Sequence, residues 1–226
     1  MTTPHISLTL LSLAAGLTVA GSQWFIWAYA PVEQTMGLIQ KILYIHIPMS
    51  WWAMISFLVV CMASIRFLHR PEPRHDRLAQ ASAEVGMLCC ALTLVTGSLW
   101  ARYSWNVWWT WDPRLTTALV MFFVYAAYLL IRGIDMTFRR KGTVCAVLGI
   151  LAFLDVPLVF ASARLWRSIH PAIFASQGSS LEPEMRTTVI ACVTSWAFLW
   201  LALILTRQRQ LEIRDRLFIL TLRQET

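Results

Sequence analysis

The sequence predicts an all-α, polytopic membrane protein with six transmembrane helices, formed by one domain over residues 1–226. Hydrophobic residues make up 58% of the chain and charged residues only 14%. A soluble domain carries roughly 25% charged and about 45–50% apolar residues. Because so few charges cannot cover a surface in water, the composition excludes a soluble globular protein, and its hydrophobicity excludes intrinsic disorder.

Six apolar segments supply the predicted spans. A transmembrane helix needs about 20 predominantly apolar residues to cross about 30 Å of hydrocarbon. Six stretches meet this requirement, at roughly 7–29, 48–67, 80–100, 115–133, 143–162 and 188–206. Open sheets and coils would leave backbone groups unsatisfied in lipid, so the spans are predicted as helices.

Particular residues mark features of the later spans. The third contains Glu84, a functional candidate because a carboxylate within lipid is costly. Asp112 followed by Pro predicts the N-cap of the fourth helix. In the fifth, Asp155 is a second such acid, and nearby Pro157 predicts a kink. The tail from Arg207 onward is predicted as a short amphipathic helix on the inner surface or as a docking segment.

The basic residues predict the orientation of the chain. Most of the 19 Lys and Arg residues lie in residues 66–78, residues 132–142 and the tail. Basic connections stay on the cytoplasmic side, so both termini are predicted to be cytoplasmic. The outer face then carries three segments, roughly 30–47, 101–114 and 163–187.

The tryptophans are distributed asymmetrically across this topology. Ten of the 12 fall at the outer face: Trp24, Trp27, Trp51, Trp52, Trp100, Trp105, Trp108, Trp109, Trp111 and Trp166. An interfacial aromatic belt would occupy both membrane interfaces, whereas this cluster is one-sided. Aromatic faces stack well against a planar apolar ligand, so the cluster favours a ligand site over a simple anchor.

Two of the five histidines, His46 and His170, also lie on the predicted outer face and flank the tryptophan-rich segment in sequence. A lone histidine is usually just hydrogen-bonded, but imidazole is also a common axial ligand of haem iron. Haem is planar, largely apolar and carries two carboxylates. The cations available on this face are Lys41, Arg102, Arg114, Arg164 and Arg167, each of which has contact with lipid headgroups as an alternative role.

Residues 108–116 read Trp-Trp-Thr-Trp-Asp-Pro-Arg-Leu-Thr. This run resembles the WWD signature, W-x-W-D-x-R-L-T, of the haem-handling proteins of cytochrome c biogenesis. The preceding Thr96-Gly97-Ser98-Leu99-Trp100 resembles the run that leads into it. With six predicted helices and one outer histidine on each side, the chain resembles the CcmC family of system I cytochrome c maturation. It departs from the family pattern at Ala101 and Asn106, where glycine is usual, and at Pro113, where a small residue often stands between the Asp and the Arg.

The resemblance implies that the chain binds haem b at the periplasmic face of the bacterial inner membrane, through the segment 100–116. It implies that His46 and His170 ligate the iron from opposite faces of the haem. The implied haem-contacting residues are Trp100, Trp105, Trp108, Trp109, Trp111, Asp112 and Arg114. Of these, Asp112 is explained better by a role as a helix cap than by direct contact with the ligand.

The same resemblance implies delivery of haem to a CcmE-like chaperone, within an ABC-type complex with a CcmA-like ATPase, a CcmB-like permease and a CcmD-like small subunit. The chain has no Gly-x-x-x-x-Gly-Lys-Ser/Thr loop, so it is not expected to be the ATPase. The resemblance implies a haem-transfer protein rather than an enzyme, with assistance to covalent attachment of haem to the chaperone as a further role left open.

Three alternatives remain open on the sequence. A membrane electron-transfer cytochrome would bury paired histidines within its helices, whereas no histidine falls in the middle of a predicted span. A passive permease subunit would not need the outer tryptophan cluster. A haem lyase of the same superfamily would be larger, with additional transmembrane histidines.

Overall fold

The computed structural model describes residues 4–166 and 181–224, and these residues are helical almost throughout. The α-helices are α1 (Pro4–Trp24), α2 (Leu43–His69), α3 (Pro73–Trp105), α4 (Pro113–Arg132), α5 (Phe138–Phe153), α6 (Asp155–Leu165) and α7 (Pro183–Gln224). A π-helical turn, Phe25–Tyr29, extends α1, and a 3₁₀ segment, Leu38–Ile42, leads into α2. Within the described residues, six helical stretches are long and apolar enough to cross a membrane, with α5 and α6 forming one of them. The all-helical, six-span prediction is confirmed.

Helices α2 and α3 form the antiparallel centre of the bundle. The start of α2 meets the end of α3 where His46 contacts Thr96. Further along, Phe57 lies against Gly86, where an added Cβ would come within 2.8 Å of the phenyl ring. On its other side the Phe57 ring stacks on Tyr125 of α4, with centroids 3.6 Å apart. Glycine at position 86 therefore lets α2 and α3 approach closely enough to bury this aromatic pair.

The start of α2 and the end of α3 both extend beyond the predicted spans. Helix α2 begins at Leu43, so Pro48 lies inside it. The missing N–H of this proline affects only one hydrogen bond near the helix start, where the chain enters through the 3₁₀ segment. Helix α3 continues to Trp105, past the last strongly apolar residues, because a helix does not have to end where the lipid does. As a result His46, Trp100 and Trp105 all lie on helices.

The fifth span is interrupted as predicted. Helix α5 ends at Phe153, and α6 begins at Asp155 after a single intervening residue. Pro157 has no N–H to offer the carbonyl four residues earlier, which accounts for the break. The buried Oδ2 atom of Asp155 has no hydrogen-bond partner among the described residues.

Polar contacts join the helices at the end of the bundle opposite the tryptophans. Glu84 pairs with Arg207 of α7, whose Nη2 donates to Oε1 over 3.1 Å. Arg132 of α4 donates to Asp76 of α3 over 3.0 Å. Because Arg207 balances its charge, Glu84 has a structural explanation as an ion pair between α3 and α7.

Helix α7 is much longer than a membrane crossing. Its 42 residues extend about 63 Å at 1.5 Å per residue, roughly twice the thickness of the hydrocarbon layer. The tail beyond Arg207 is therefore helical, but it continues α7 rather than forming a separate helix. Leu211 is fully buried, and Asp215 pairs with Arg77 of α3 over 3.4 Å, which fixes the tail to the bundle.

Candidate ligand site at the tryptophan-rich end of the bundle

His46 is packed between the first turns of α2 and the last turns of α3. Its Nδ1 atom lies 3.0 Å from the Thr96 hydroxyl. Residue 97 is glycine, and a Cβ there would come within 3.1 Å of the imidazole Cε1 atom. The Ser50 hydroxyl donates to the His46 carbonyl over 2.8 Å. The ring and the backbone of His46 are thus both held, and the residues that hold the ring, Thr96 and Gly97, escaped the sequence analysis as functional candidates.

The turn after α3 is built around Asn106. Its φ of 57° and ψ of 21° place it in the left-handed region, which asparagine tolerates better than most residues apart from glycine. Arg102 donates to the Asn106 carbonyl over 2.6 Å and lies over the Trp108 ring, 5.9 Å from its centroid. Asn106 thus fits a position where a glycine would be favoured, and the departure from the family pattern leaves the turn intact.

Asp112 ends the tryptophan-rich segment as the N-cap of α4. Its carboxylate accepts a hydrogen bond from the Arg114 backbone N–H over 2.9 Å, and Pro113 occupies the first helical position. The side chain is largely buried. The predicted cap is confirmed, and it fixes where the chain leaves the segment and enters α4.

An open, mostly apolar groove lies between the tryptophan-rich segment, the last turns of α3 and the first turns of α4. Its volume is about 490 Å³, within the range of small-molecule sites. It is lined by Leu94, Val95, Ser98, Leu99, Trp108, Trp109, Trp111 and Leu119. We call this the tryptophan groove. Trp108 and Trp111 are 59% and 76% exposed, so much of each ring is accessible.

The segment also contains buried polar atoms that lack partners. Within the described residues, Nε1 of Trp100, Nε1 of Trp109 and the hydroxyls of Thr110 and Thr116 are buried without a hydrogen bond. Buried polar atoms are nearly always paired, so these atoms require an explanation. An indole N–H only donates. An acceptor oxygen of a ligand would pair with such a donor, but Trp109 lines the tryptophan groove and Trp100 does not, so the two indoles do not form one site.

His46 and the tryptophan groove lie on different sides of α3. The histidine contacts Thr96 and Gly97, whereas the groove is lined by Val95, Ser98 and Leu99. At 3.6 residues per turn, these two sets face opposite directions. Trp100 is one turn beyond Thr96 and so lies on the histidine side, where its ring packs edge-on against Trp105 with centroids 5.4 Å apart.

Several other predicted residues have local roles. Lys41 is 5% exposed, donates to the Ile26 carbonyl over 2.6 Å and lies 5.2 Å from the Trp27 ring centroid. It therefore caps the C-terminal end of the first span, where a cation also complements the helix dipole. Trp52 donates to the Val193 carbonyl over 3.0 Å and so packs α2 against α7. His170 and Arg167 lie outside the described residues.

Known proteins resemble this chain over most of its length. The family model described as heme exporter protein C, CcmC, matches residues 2–221. The heme exporter protein C of Bradyrhizobium diazoefficiens is 31% identical over 219 residues, which cover 96% of this chain and 80% of that protein. The same-named protein of Escherichia coli strain K12 is 27% identical over 201 residues, 88% of this chain and 82% of that protein. A putative cytochrome c biosynthesis ccmC-like mitochondrial protein of Arabidopsis thaliana is 27% identical over 183 residues, 80% and 69% of the two chains.

Proposed function

Since this chain belongs to the heme exporter protein C (CcmC) family, we propose that it binds haem b at the tryptophan-rich end of its bundle and delivers it to a CcmE-like chaperone. The resemblance found in the sequence is confirmed, and with it a role in haem export or cytochrome c maturation as a multi-pass membrane protein. Delivery to a particular acceptor is our extension of that role.

The tryptophan groove carries the proposal. It presents exposed aromatic faces at the bundle end where His46 is held and where buried donors lack partners. A haem needs apolar walls, an imidazole ligand and partners for its carboxylates, and this end of the bundle offers all three. We propose His46 and His170 as axial ligands. Arg114, the Trp109 indole N–H on the groove side and the Trp100 indole N–H on the histidine side are the proposed partners of the carboxylates.

We propose that the chain lies in the bacterial inner membrane and that the tryptophan-rich end of its bundle faces the periplasm. The charge distribution supports this orientation, because residues 66–78, which include the α2–α3 turn, residues 132–142, which include the α4–α5 turn, and the end of α7 hold most of the Lys and Arg residues. Six spans place both ends of the chain on one side, so both termini would be cytoplasmic. A CcmA-like ATPase would then meet the basic side, with CcmB-like and CcmD-like subunits beside the bundle in the membrane.

In the proposed mechanism, this chain transfers haem to the chaperone and does not itself alter the haem chemically. Two neutral imidazole nitrogens would favour oxidised, low-spin iron. The site lies at helix ends and is open, which suits a ligand that has to leave. The chaperone would approach from the periplasm and take the haem by its exposed edge.

Optical spectra test the proposal. The full chain, purified in detergent from haem-replete cells, is compared with His46→Ala, His170→Ala and the double variant. His69→Ala is the matched control, because His69 is exposed at the opposite end of α2. We expect a low-spin Soret band in the wild type and the control, altered in each single variant and lost in the double variant. Haem at the wild-type level in the double variant would disprove the ligand assignment.

A further inference from the structure

The Thr96 hydroxyl is the hydrogen-bond partner of Nδ1 of His46. A hydroxyl has one proton to donate. The Leu92 carbonyl of the same helix, 2.7 Å from the Thr96 hydroxyl, can only accept a hydrogen bond, so that contact uses the Thr96 proton. Toward His46 Nδ1, which is 3.0 Å away, the hydroxyl oxygen therefore acts as an acceptor. An acceptor at that place requires the proton of the neutral imidazole to be on Nδ1.

We infer that Thr96 is a positioning residue for haem binding, which holds His46 in the Nδ1–H tautomer so that Nε2 presents its lone pair to the iron. The inference rests on the proposed function, in which His46 is an axial ligand. Ligating histidines commonly donate the N–H of their second ring nitrogen to an acceptor oxygen, usually of a carboxylate, a backbone carbonyl or water, and this hydrogen bond fixes the tautomer and raises the basicity of the ligand.

The surroundings of the ring make this contact specific. Gly97 lets the imidazole lie against the α3 backbone, since a Cβ at that position would come within 3.1 Å of Cε1. Ser50 holds the His46 carbonyl. Rotating the ring by half a turn would place a carbon opposite the Thr96 oxygen and lose the hydrogen bond. One ring orientation and one tautomer are thus favoured together.

The same helix offers a matched control. Thr93 lies nearly one turn before Thr96 on the same side of α3, and its hydroxyl meets Ser50 over 3.4 Å. Thr93→Val therefore makes the same chemical change on the same helix without removing the partner of the imidazole. Thr96→Ser keeps the hydroxyl, whereas Thr96→Val keeps the shape and removes it.

The first measurement uses the haem-free full chain in detergent, with ¹⁵N-labelled histidine. The ¹⁵N shifts of His46 report the tautomer directly. We expect the Nδ1–H form in the wild type, Thr96→Ser and Thr93→Val, and loss of that preference in Thr96→Val. An Nε2–H tautomer in the wild type, or an unchanged tautomer in Thr96→Val, would overturn the inference.

The second measurement determines the haem affinity by titration and the reduction potential of the bound haem, for the wild type and the Thr96 variants. Loss of a hydrogen-bond partner of a metal-ligating side chain typically weakens metal binding 10–100-fold. Thr96→Val should therefore bind haem about 10–100-fold more weakly, and its reduction potential should rise because the ligand is less basic. Thr96→Ser should restore both quantities, and wild-type affinity and potential in Thr96→Val would overturn the inference. Wild-type haem loading in His46→Ala would instead refute the proposed ligand and leave the tautomer result standing.

Discussion

The substitution Gly97→Ala is expected to affect helix stability and the position of the His46 ring in opposite ways, so that the two effects can be measured separately. An added Cβ would be 3.1 Å from the imidazole Cε1 atom. Carbon atoms prefer about 3.5–4.0 Å, so the ring would have to move by about 0.4 Å or more. A shift of that size directed along the Thr96 contact would lengthen it from 3.0 Å to about 3.4 Å, near the limit of a hydrogen bond.

Helix propensity acts in the opposite direction. Alanine is favoured over glycine inside a helix by up to about 1 kcal/mol. We therefore expect Gly97→Ala to unfold at the wild-type temperature or slightly above it, while its affinity for haem falls about tenfold, the lower end of the range for a disturbed outer contact. Thermal unfolding and Soret titration of the same preparation measure both quantities.

Gly16→Ala is the control, because a Cβ at Gly16 meets no atom within 4 Å. It should share any gain in stability and leave haem binding unchanged. Wild-type affinity in Gly97→Ala, with an unaltered spectrum, would refute the reasoning that the close packing of His46 on α3 determines its ligand geometry.

Three further predictions concern single contacts. Gly142→Ala places a Cβ 2.2 Å from Phe67 Cζ, and this overpacking should cost about 1–3 kcal/mol in thermal unfolding. Glu84→Ala leaves Arg207 unpaired at a partly exposed site and should cost about 1 kcal/mol, whereas adding Arg207→Ala should cost little more, as a double-mutant cycle would show. Asp112→Ala removes the α4 cap and should lower the free energy of unfolding by about 1 kcal/mol, whereas Asp112→Asn should keep wild-type stability. If the Asn variant also loads haem at the wild-type level, the Asp112 carboxylate acts as a helix cap and not in haem binding.

The sequence was sufficient for features that depend on local chemistry. Apolar length predicts the six spans, Asp112 with Pro113 predicts the start of α4, and Pro157 predicts the break in the fifth span. Each of these follows from a few neighbouring residues. The start of α2 was misplaced because the apolar length predicts only the part that crosses the membrane, from about residue 48, whereas the helix begins at Leu43.

Contacts between distant parts of the chain could not be predicted in the same way. Glu84 appeared to be an isolated acid because Arg207 is 123 positions away and joins it only through the packing of α7 on α3. Likewise, nothing in the spacing of His46 and Thr96 indicates that they meet; their contact follows from the antiparallel register of α2 and α3.

The length of α3 constrains how the proposed function works. If α3 had ended near residue 100, as predicted, the tryptophan-rich segment could have folded across the histidine side. Because α3 continues to Trp105, the segment leaves the helix farther along, and Trp108, Trp109 and Trp111 line the opposite side. A helix with its side chains is about 10 Å across, so one haem cannot lie flat in the tryptophan groove while His46 ligates its iron from the far side of α3. Under the proposed function, therefore, His46 and the tryptophan groove either contact different parts of the same haem or contact the haem at different steps of its transfer.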